Sequence, residues 1–305
     1  MKFEHILFPV DFSARSRAVN KQVEWLADRF NAHVTLLHVF EIPASWYPAG
    51  EATFFNMECL EELKQIDAQR LKDYALEIPA NRLQRVQVEG SAAEEIANWA
   101  NAHCVDLVVL ATQGHGAIGG FLLGSVATRV LHSTPCPVWT DSRMLESSNN
   151  LGVSKILCAV EMTGETVPLL RFTHKLAQDL NADVQLIHAV PEAATLPYRY
   201  FDFDLHSQLI ERATLEIGNL QLAAGTSFPL EVSGLNISEA VEKAATGDRA
   251  DLLVIGRGRA QKPFARFQSH AYDIIKHSPC PVLSYAVGPQ QTTSDAEFAD
   301  TVAVL

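Results

Sequence analysis

The sequence predicts an α/β protein built of two tandem domains, each a doubly wound parallel sheet with helices on both faces. Three observations carry that prediction. The chain is written twice, and each copy alternates apolar strand-like runs with helix-like stretches. Its 305 residues also suffice for two domains that each bury a core.

The repeat is legible by eye. HILFPVDFS at 5–13 returns as KILCAVEMT at 155–163, and HVTLLHVF at 33–40 returns as DVQLIHAV at 183–190. VDLVVLATQG at 105–114 returns as ADLLVIGRG at 250–258, and STPCPVW at 133–139 as HSPCPVL at 277–283. Four matches in the same order mark a duplicated domain. The polar stretch DSRMLESSNN between the copies is the natural linker. The expected boundaries are 1–140 for the first domain, 141–152 for the linker and 153–288 for the second domain. Residues 289–305 form a tail without a core pattern, as a disordered terminus would.

Within the first copy, Ile6–Val10 is an apolar run of the kind a strand buried on both faces shows. Ser13 opens a segment with Val19, Val23, Leu26 and Phe30 at helical spacing, stopped by Asn31. Val34–Val39 is the second strand. An amphipathic helix follows, carrying Leu60, Leu63, Ile66 and Tyr74, and Leu83–Val88 is the third strand. Ser91 and Glu94 have capping-box spacing ahead of a helix through Ile96 and Trp99. Asp106–Leu110 is the fourth strand. A glycine-rich loop, a helix from about Ser125 and a short strand at Val138 close the unit. Strands alternating with helices imply right-handed crossovers and a parallel sheet.

Composition excludes several classes of function. The net charge of −12 speaks against a broad nucleic-acid footprint, which needs a basic face. The five cysteines are scattered without a C-x-x-C pair, which fits reduced thiols rather than a disulfide framework or zinc site. The first residues, MKFEHILFPVDFS, carry an acid at Glu4 and an apolar run too short for a signal peptide or membrane span. The expectation is a cytoplasmic protein.

Five glycines, Gly114, Gly116, Gly119, Gly120 and Gly124, crowd into ATQGHGAIGGFLLGSV at 111–126, of only 16 in the chain. A glycine-rich turn between strand and helix offers bare N–H groups to a phosphate. Gly114 to Gly119 matches G-x-G-x-x-G, but a dinucleotide fingerprint belongs after the first strand, and this loop follows the fourth. No G-x-x-x-x-G-K-[ST] occurs, so a P-loop is excluded. Gly124 and Ser125 sit where the closing helix begins, so free amides and the positive helix end would face a phosphate. Each dipole contact is worth only about 0.3–1 kcal/mol, so several must converge. Asp11 would repel phosphates, which places it at the sugar or base end of any nucleotide.

Gly114, nine intervening residues and then Gly124-Ser125 resemble the G-x-x-G-x9-G-[ST] signature of the universal stress protein family. PVDFS at 9–13, LLHVF at 36–40, EGSAAEEI at 89–96 and the long LLGSVATRVLHSTPCPV at 122–138 agree with it. The resemblance covers nearly all of both halves. It implies tandem Rossmann-like domains of the stress-protein type, each a five-stranded parallel sheet of order 3-2-1-4-5. Family dimers pair their last strands across the interface, so it also implies an internal pseudo-dimer, with a homodimer of the chain as a further alternative. In ATP-binding members the acid ending the first strand lies by the adenosine, which implies Asp11, beside Pro9. The valine ending the second strand contacts adenine, which implies Val39. The glycine loop and its G-[ST] hold ribose and phosphates, which implies Gly114, Gly124, Ser125 and the backbone of Val126, with Mg2+ arriving on the phosphates. One position departs: the first motif glycine is Ala111, tolerable if its φ is negative. The implied function is a stress-response module that binds ATP in the first half.

The second half departs further. Asp11 becomes Glu161, and the loop becomes GRGRAQKPFARFQSH. Gly256 fills the first motif position and Arg259 the second. Gly124-Ser125 becomes Gln268-Ser269, and Pro263 has entered. Arg257, Arg259, Lys262 and Arg266 give the loop positive charge. It either serves another anionic ligand or an acidic partner, or is a decayed site with solvated cations worth little.

His38 and His188 share a repeat position and read as hydrogen-bonded strand-end histidines, since no second ligand lies at metal-site spacing. His115 lies in the glycine loop, within reach of a phosphate by position. Cys136 and Cys280, each between prolines, read as small buried hydrophobes. Two aromatic insertions, 45–55 and 195–204, either cover the core edge or line a groove. The groove reading is the alternative function: a scaffold for an apolar small molecule or partner protein, with no nucleotide. No Ser–His–Asp or paired-carboxylate constellation is placed by motif, so a binding module is expected, with slow ATP hydrolysis the remaining catalytic alternative.

Overall fold

The sheet grows outward from β1 (His5–Pro9), whose central side chains Ile6, Leu7 and Phe8 are fully buried. Burial on both faces is what a central parallel strand requires. Ile6 and Phe8 enter one core and Leu7 the other, as the two-residue period of a strand dictates. The computed structural model describes residues 3–42, 57–111, 123–141, 151–190, 202–257 and 267–286. Residues 142–150 of the linker, the tail at 289–305, the insertion at 45–55 and most of that at 195–204 lie outside them.

The remaining strands of the first half are β2 (His33–Phe40), β3 (Leu83–Glu89), β4 (Leu107–Ala111) and β5 (Val138–Asp141). Those of the second are β6 (Lys155–Ala159), β7 (Asp183–Ala189), β8 (Leu230–Ser233), β9 (Leu252–Arg257) and β10 (Val282–Ala286). They form one sheet of order β3-β2-β1-β4-β5-β10-β9-β6-β7-β8. Each half therefore has the expected 3-2-1-4-5 order, with parallel neighbours throughout. The closing strands join the halves antiparallel, with Leu283 opposite Trp139 and Val282 opposite Thr140. Thr140 Oγ1 donates to the Val282 carbonyl at 3.2 Å, and Ser284 Oγ to that of Val138 at 3.2 Å. The internal pseudo-dimer is thus a continuous sheet.

Helices cover both faces. The described ones are α1 (Ala14–Ala18), α2 (Asn20–Phe30), α3 (Met57–Lys72), α4 (Ala92–Ala102), α5 (Ser125–Ser133), α6 (Thr166–Leu180), α7 (Asp202–Ala224), α8 (Ile237–Gly247) and α9 (Phe267–His277). Val23, Leu26, Leu71, Leu170 and Ile217 put α2, α3, α6 and α7 on one face. Ile96, Val130, Val241 and Ile274 put α4, α5, α8 and α9 on the other. Asn31 and Asn181 end α2 and α6 in the left-handed region, at φ 50° and 55°. Asparagine tolerates that conformation, and it lets the Ala32 and Ala182 amides reach back to Ala27 and Ala177, both at 2.9 Å.

Three local expectations change. The helical segment after Ser13 breaks at Val19 into α1 and α2, although Ser13 does cap it, accepting from Ser16 N at 3.1 Å. Ile66 faces solvent, 54% exposed, because Leu60 and Leu71 carry the buried stripe of α3. Ser91 stands at the N-cap of α4 without a side-chain bond, and the Glu41 carboxylate takes the first helical amide, that of Ala92, at 2.6 Å.

Candidate functional site

The chain leaves β1 through a turn tied to β2. Val10 N donates to the Leu37 carbonyl at 2.8 Å, and His38 Nδ1–H donates to that of Val10 at 2.9 Å. Phe12, two residues on, is buried in the left-handed region at φ 61°. That conformation costs a bulky residue about 1–3 kcal/mol, so the surroundings must hold it. They do: its ring lies 4.4 Å from that of His38, and the Arg70 guanidinium sits 4.4 Å from its centroid. Arg70 also pairs with Asp67 at 3.0 Å, and Asp67 lies 3.4 Å from His38 Nε2. The turn fixes Asp11. Its Oδ1 accepts from Ser13 N at 3.0 Å and from the Ser16 hydroxyl, beside the start of α1.

The other expected residues lie along the same edge of the sheet. Pro9 ends β1, and β2 carries half-buried Val39 opposite Val88 near its C-terminal end. Ala111 ends β4, half-buried and outside the positive-φ residues, so the condition for replacing the motif glycine is met. Gly124 is the N-cap of α5 at φ −61° and ψ 148°, and the first helical bond runs from Thr128 N to Gly124 O at 2.9 Å. The amides of Ser125, Val126 and Ala127 therefore precede the helical ladder. Ser125 is exposed and Val126 half-buried. Because β1 and β4 are neighbours while α2 and α5 pack on opposite faces, this edge is the topological switch point, where open α/β sheets take ligands. Gly114, His115, Gly116, Gly119 and Gly120 lie outside the described residues.

The equivalent corner of the second half is built differently. Glu161 follows β6, but Thr166, in the place of Ser16, donates to its main-chain carbonyl instead of its carboxylate. Burial, and secondarily Glu165, push the Glu161 carboxyl up to about 7. Met162 replaces Phe12 without the positive φ and is 42% exposed. Since the folded-state value stands above the unfolded one, Glu161 stabilises the fold below about 4.5 and loses that contribution as pH rises through about 7. Glu161→Gln should remove the dependence, so urea midpoints of the wild type fall against the variant between about pH 5 and about pH 8. Parallel profiles would show that the carboxyl is solvated.

His188 repeats the expected histidine bond, with Nδ1 2.8 Å from the Val160 carbonyl, while its Nε2 is buried without a partner among the described residues. Cys136 and Cys280 are buried as expected, and burial pushes the Cys136 thiol up to about 11. Arg257 departs from both sequence readings of the loop. It is neither a solvated cation nor offered to a ligand: it donates to the Leu131, Thr134 and Cys136 carbonyls of the first half. Arg259, Lys262, Pro263 and Arg266 lie outside the described residues. Sequence reasoning missed the roles of Phe12 and Arg257. The repeat held a signal for the second, since Arg257 falls where the first copy has Thr112.

Among the described residues, no group of three His, Cys, Asp or Glu could hold a metal, and no helix is long and apolar enough to cross a membrane.

The model of the universal stress protein family matches residues 2–140 and again 152–285. A universal stress protein of Methanocaldococcus jannaschii is 31% identical over 137 residues, covering 45% of this chain and 80% of the relative. One of Thermus aquaticus is 31% identical over 137 residues, covering 45% of this chain and 96% of its own. At full tandem length, the crystal structure of a universal stress protein from Archaeoglobus fulgidus superposes with a TM-score of 0.64 at 17% identity. It covers 94% of this chain and 98% of that one, and shows the shared fold.

Proposed function

This chain belongs to the universal stress protein family, and from that membership we propose that its first half binds ATP at the C-terminal edge of its sheet. The observation that carries the reading is the uncapped first turn of α5 at the same switch point as Asp11. Asp11 accepts a hydroxyl or amine proton at the adenosine end, where a carboxylate does not meet phosphate charge. Val39 forms an apolar wall for the base, with Pro9 and Ala111 at the adjoining strand ends. The amides of Ser125 and Val126, with the Ser125 hydroxyl and the Gly114 segment, take the phosphates. Donor amides and a short N-cap fit a polyphosphate, and magnesium comes with it.

The protein acts as a nucleotide-responsive stress module of the cytoplasm rather than as an enzyme. Asp11 supports this, because its Oδ1 is engaged by Ser13 N and the Ser16 hydroxyl rather than offered as a base. The second half has Arg259 and Gln268 where the first has Gly114 and Gly124, and takes no ATP. Titrating isotope-labelled protein with Mg-ATP tests the reading: the Ser125, Val126 and Ala127 amides should shift saturably. No saturable shift there at millimolar ATP would overturn it.

A further inference from the structure

We propose that Arg257, a residue of the second half, is a positioning residue for the ATP site of the first half, acting through the far end of α5. The inference rests on the nucleotide reading above and extends it to the role of the second half.

Arg257 is the last residue of β9. Its Nη1 donates to the Leu131 carbonyl and, at 3.5 Å, to that of Thr134, while Nη2 donates to that of Cys136 at 2.7 Å. These carbonyls belong to the last turn of α5 and the segment leading into β5. The final carbonyls of a helix have no partner within it, and a cation there meets the negative end of the dipole. Burial lowers the guanidinium to about 10, which leaves it charged at neutral pH. A second contact follows the same helix: the Tyr272 hydroxyl of α9 lies 3.5 Å from the Thr128 carbonyl, and its ring 5.4 Å from that of His132.

The grip runs one way. In the second half, Ser278 Oγ satisfies the Cys280 carbonyl at 2.7 Å. In the first half, Thr134 turns its hydroxyl to Val130 O at 2.7 Å, and the Cys136 carbonyl is left to Arg257. The repeat position of Arg257 in the first half is Thr112, which carries no cation. Among the described residues, only the second half therefore holds the other's closing helix in this manner.

The consequence follows from the size of α5. Its nine residues span ~13 Å at 1.5 Å each. A helix that short is marginal alone, so tertiary anchors set its position. Anion binding at its first turn needs several amides to converge, and the anchor at its last turn keeps them converged. Arg257 directly follows Gly256, the first motif position of the second half. The corner of the second half that answers to the ATP site thus adjoins the residue that holds the nucleotide helix.

The test is calorimetric titration of the full chain with Mg-ATP, comparing wild type with Arg257→Met and Arg257→Lys. Arg257→Met should weaken ATP about five- to tenfold, the low end of ordinary coupling between sites. Arg257→Lys should recover part of the loss, since it restores the charge but not the planar fork. The His132 imidazole, held down by burial and then by Arg257, should titrate higher in the methionine variant than in the lysine variant, which keeps the charge, whereas a fold loosened in both would raise it in both. A folded methionine variant that binds as the wild type does overturns the proposal. If that variant does not fold, the lysine variant decides, and unchanged affinity there overturns it equally. A wild type that binds no ATP overturns the nucleotide reading itself, and this inference with it.

Discussion

Gly124→Asp should abolish detectable Mg-ATP binding while leaving the protein at least as heat-stable as the wild type. The two effects have one cause. Gly124 occupies the N-cap of α5 in an extended conformation that any residue adopts, so the new side chain meets no backbone strain. Aspartate is among the best N-cap residues, and its carboxylate accepts from the second and third amides of the helix, those of Val126 and Ala127. These overlap the donors that the phosphates need. The new charge also faces the phosphates directly, and unit charges 4 Å apart repel by about 4 kcal/mol near a protein surface. Together these should weaken ATP by at least about a hundredfold. The helix gains a few tenths of a kcal/mol from the better cap and up to about 1 kcal/mol from the dipole. Calorimetry and thermal melts of the variant check both signs. Wild-type affinity would mean that the phosphates lie elsewhere, and a large drop in melting temperature would mean that Gly124 is structural.

Trp139→Ala should cost about 3–5 kcal/mol, as truncating a buried tryptophan does. Trp139 is fully buried on β5 and stands opposite Leu283 where the halves meet. Losing it opens a cavity beside the antiparallel seam. Trp139→Phe should be much milder than the lost area implies, because the indole Nε1 is buried without a partner among the described residues and its removal relieves that cost. Urea unfolding of both variants measures the difference. A loss under about 1 kcal/mol for alanine would contradict a seam packed as core.

Much of this architecture is legible in the sequence because its signals are local or repeated. Apolar runs such as Ile6–Leu7–Phe8 mark strands buried on both faces, and paired copies such as HVTLLHVF and DVQLIHAV mark the second half. Asn31 marks the end of α2 in the sequence, and asparagine tolerates the left-handed conformation found there. What escaped depends on partners distant along the chain. The cap of α4 comes from Glu41, which lies 51 residues from the amide it takes. The Arg257 contacts span 121 to 126 residues. Phe12 gives no sign of a positive φ, since phenylalanine disfavours it and contacts with His38, Tyr74 and Arg70, all distant in the sequence, sustain it. Ile66 was read to the wrong face because one apolar residue off the stripe of α3 is indistinguishable from a member by spacing alone. At the candidate site the residues named from the sequence fall along one edge of the sheet, while the asymmetry between Asp11 and Glu161 emerges only from their hydrogen bonds.

The central claim is that one half binds ATP and the other does not. Calorimetric titration of nucleotide-free wild-type protein with Mg-ATP, counting sites per chain, tests it most directly. The account predicts a single site. No binding at millimolar ATP, or two sites per chain, would contradict it.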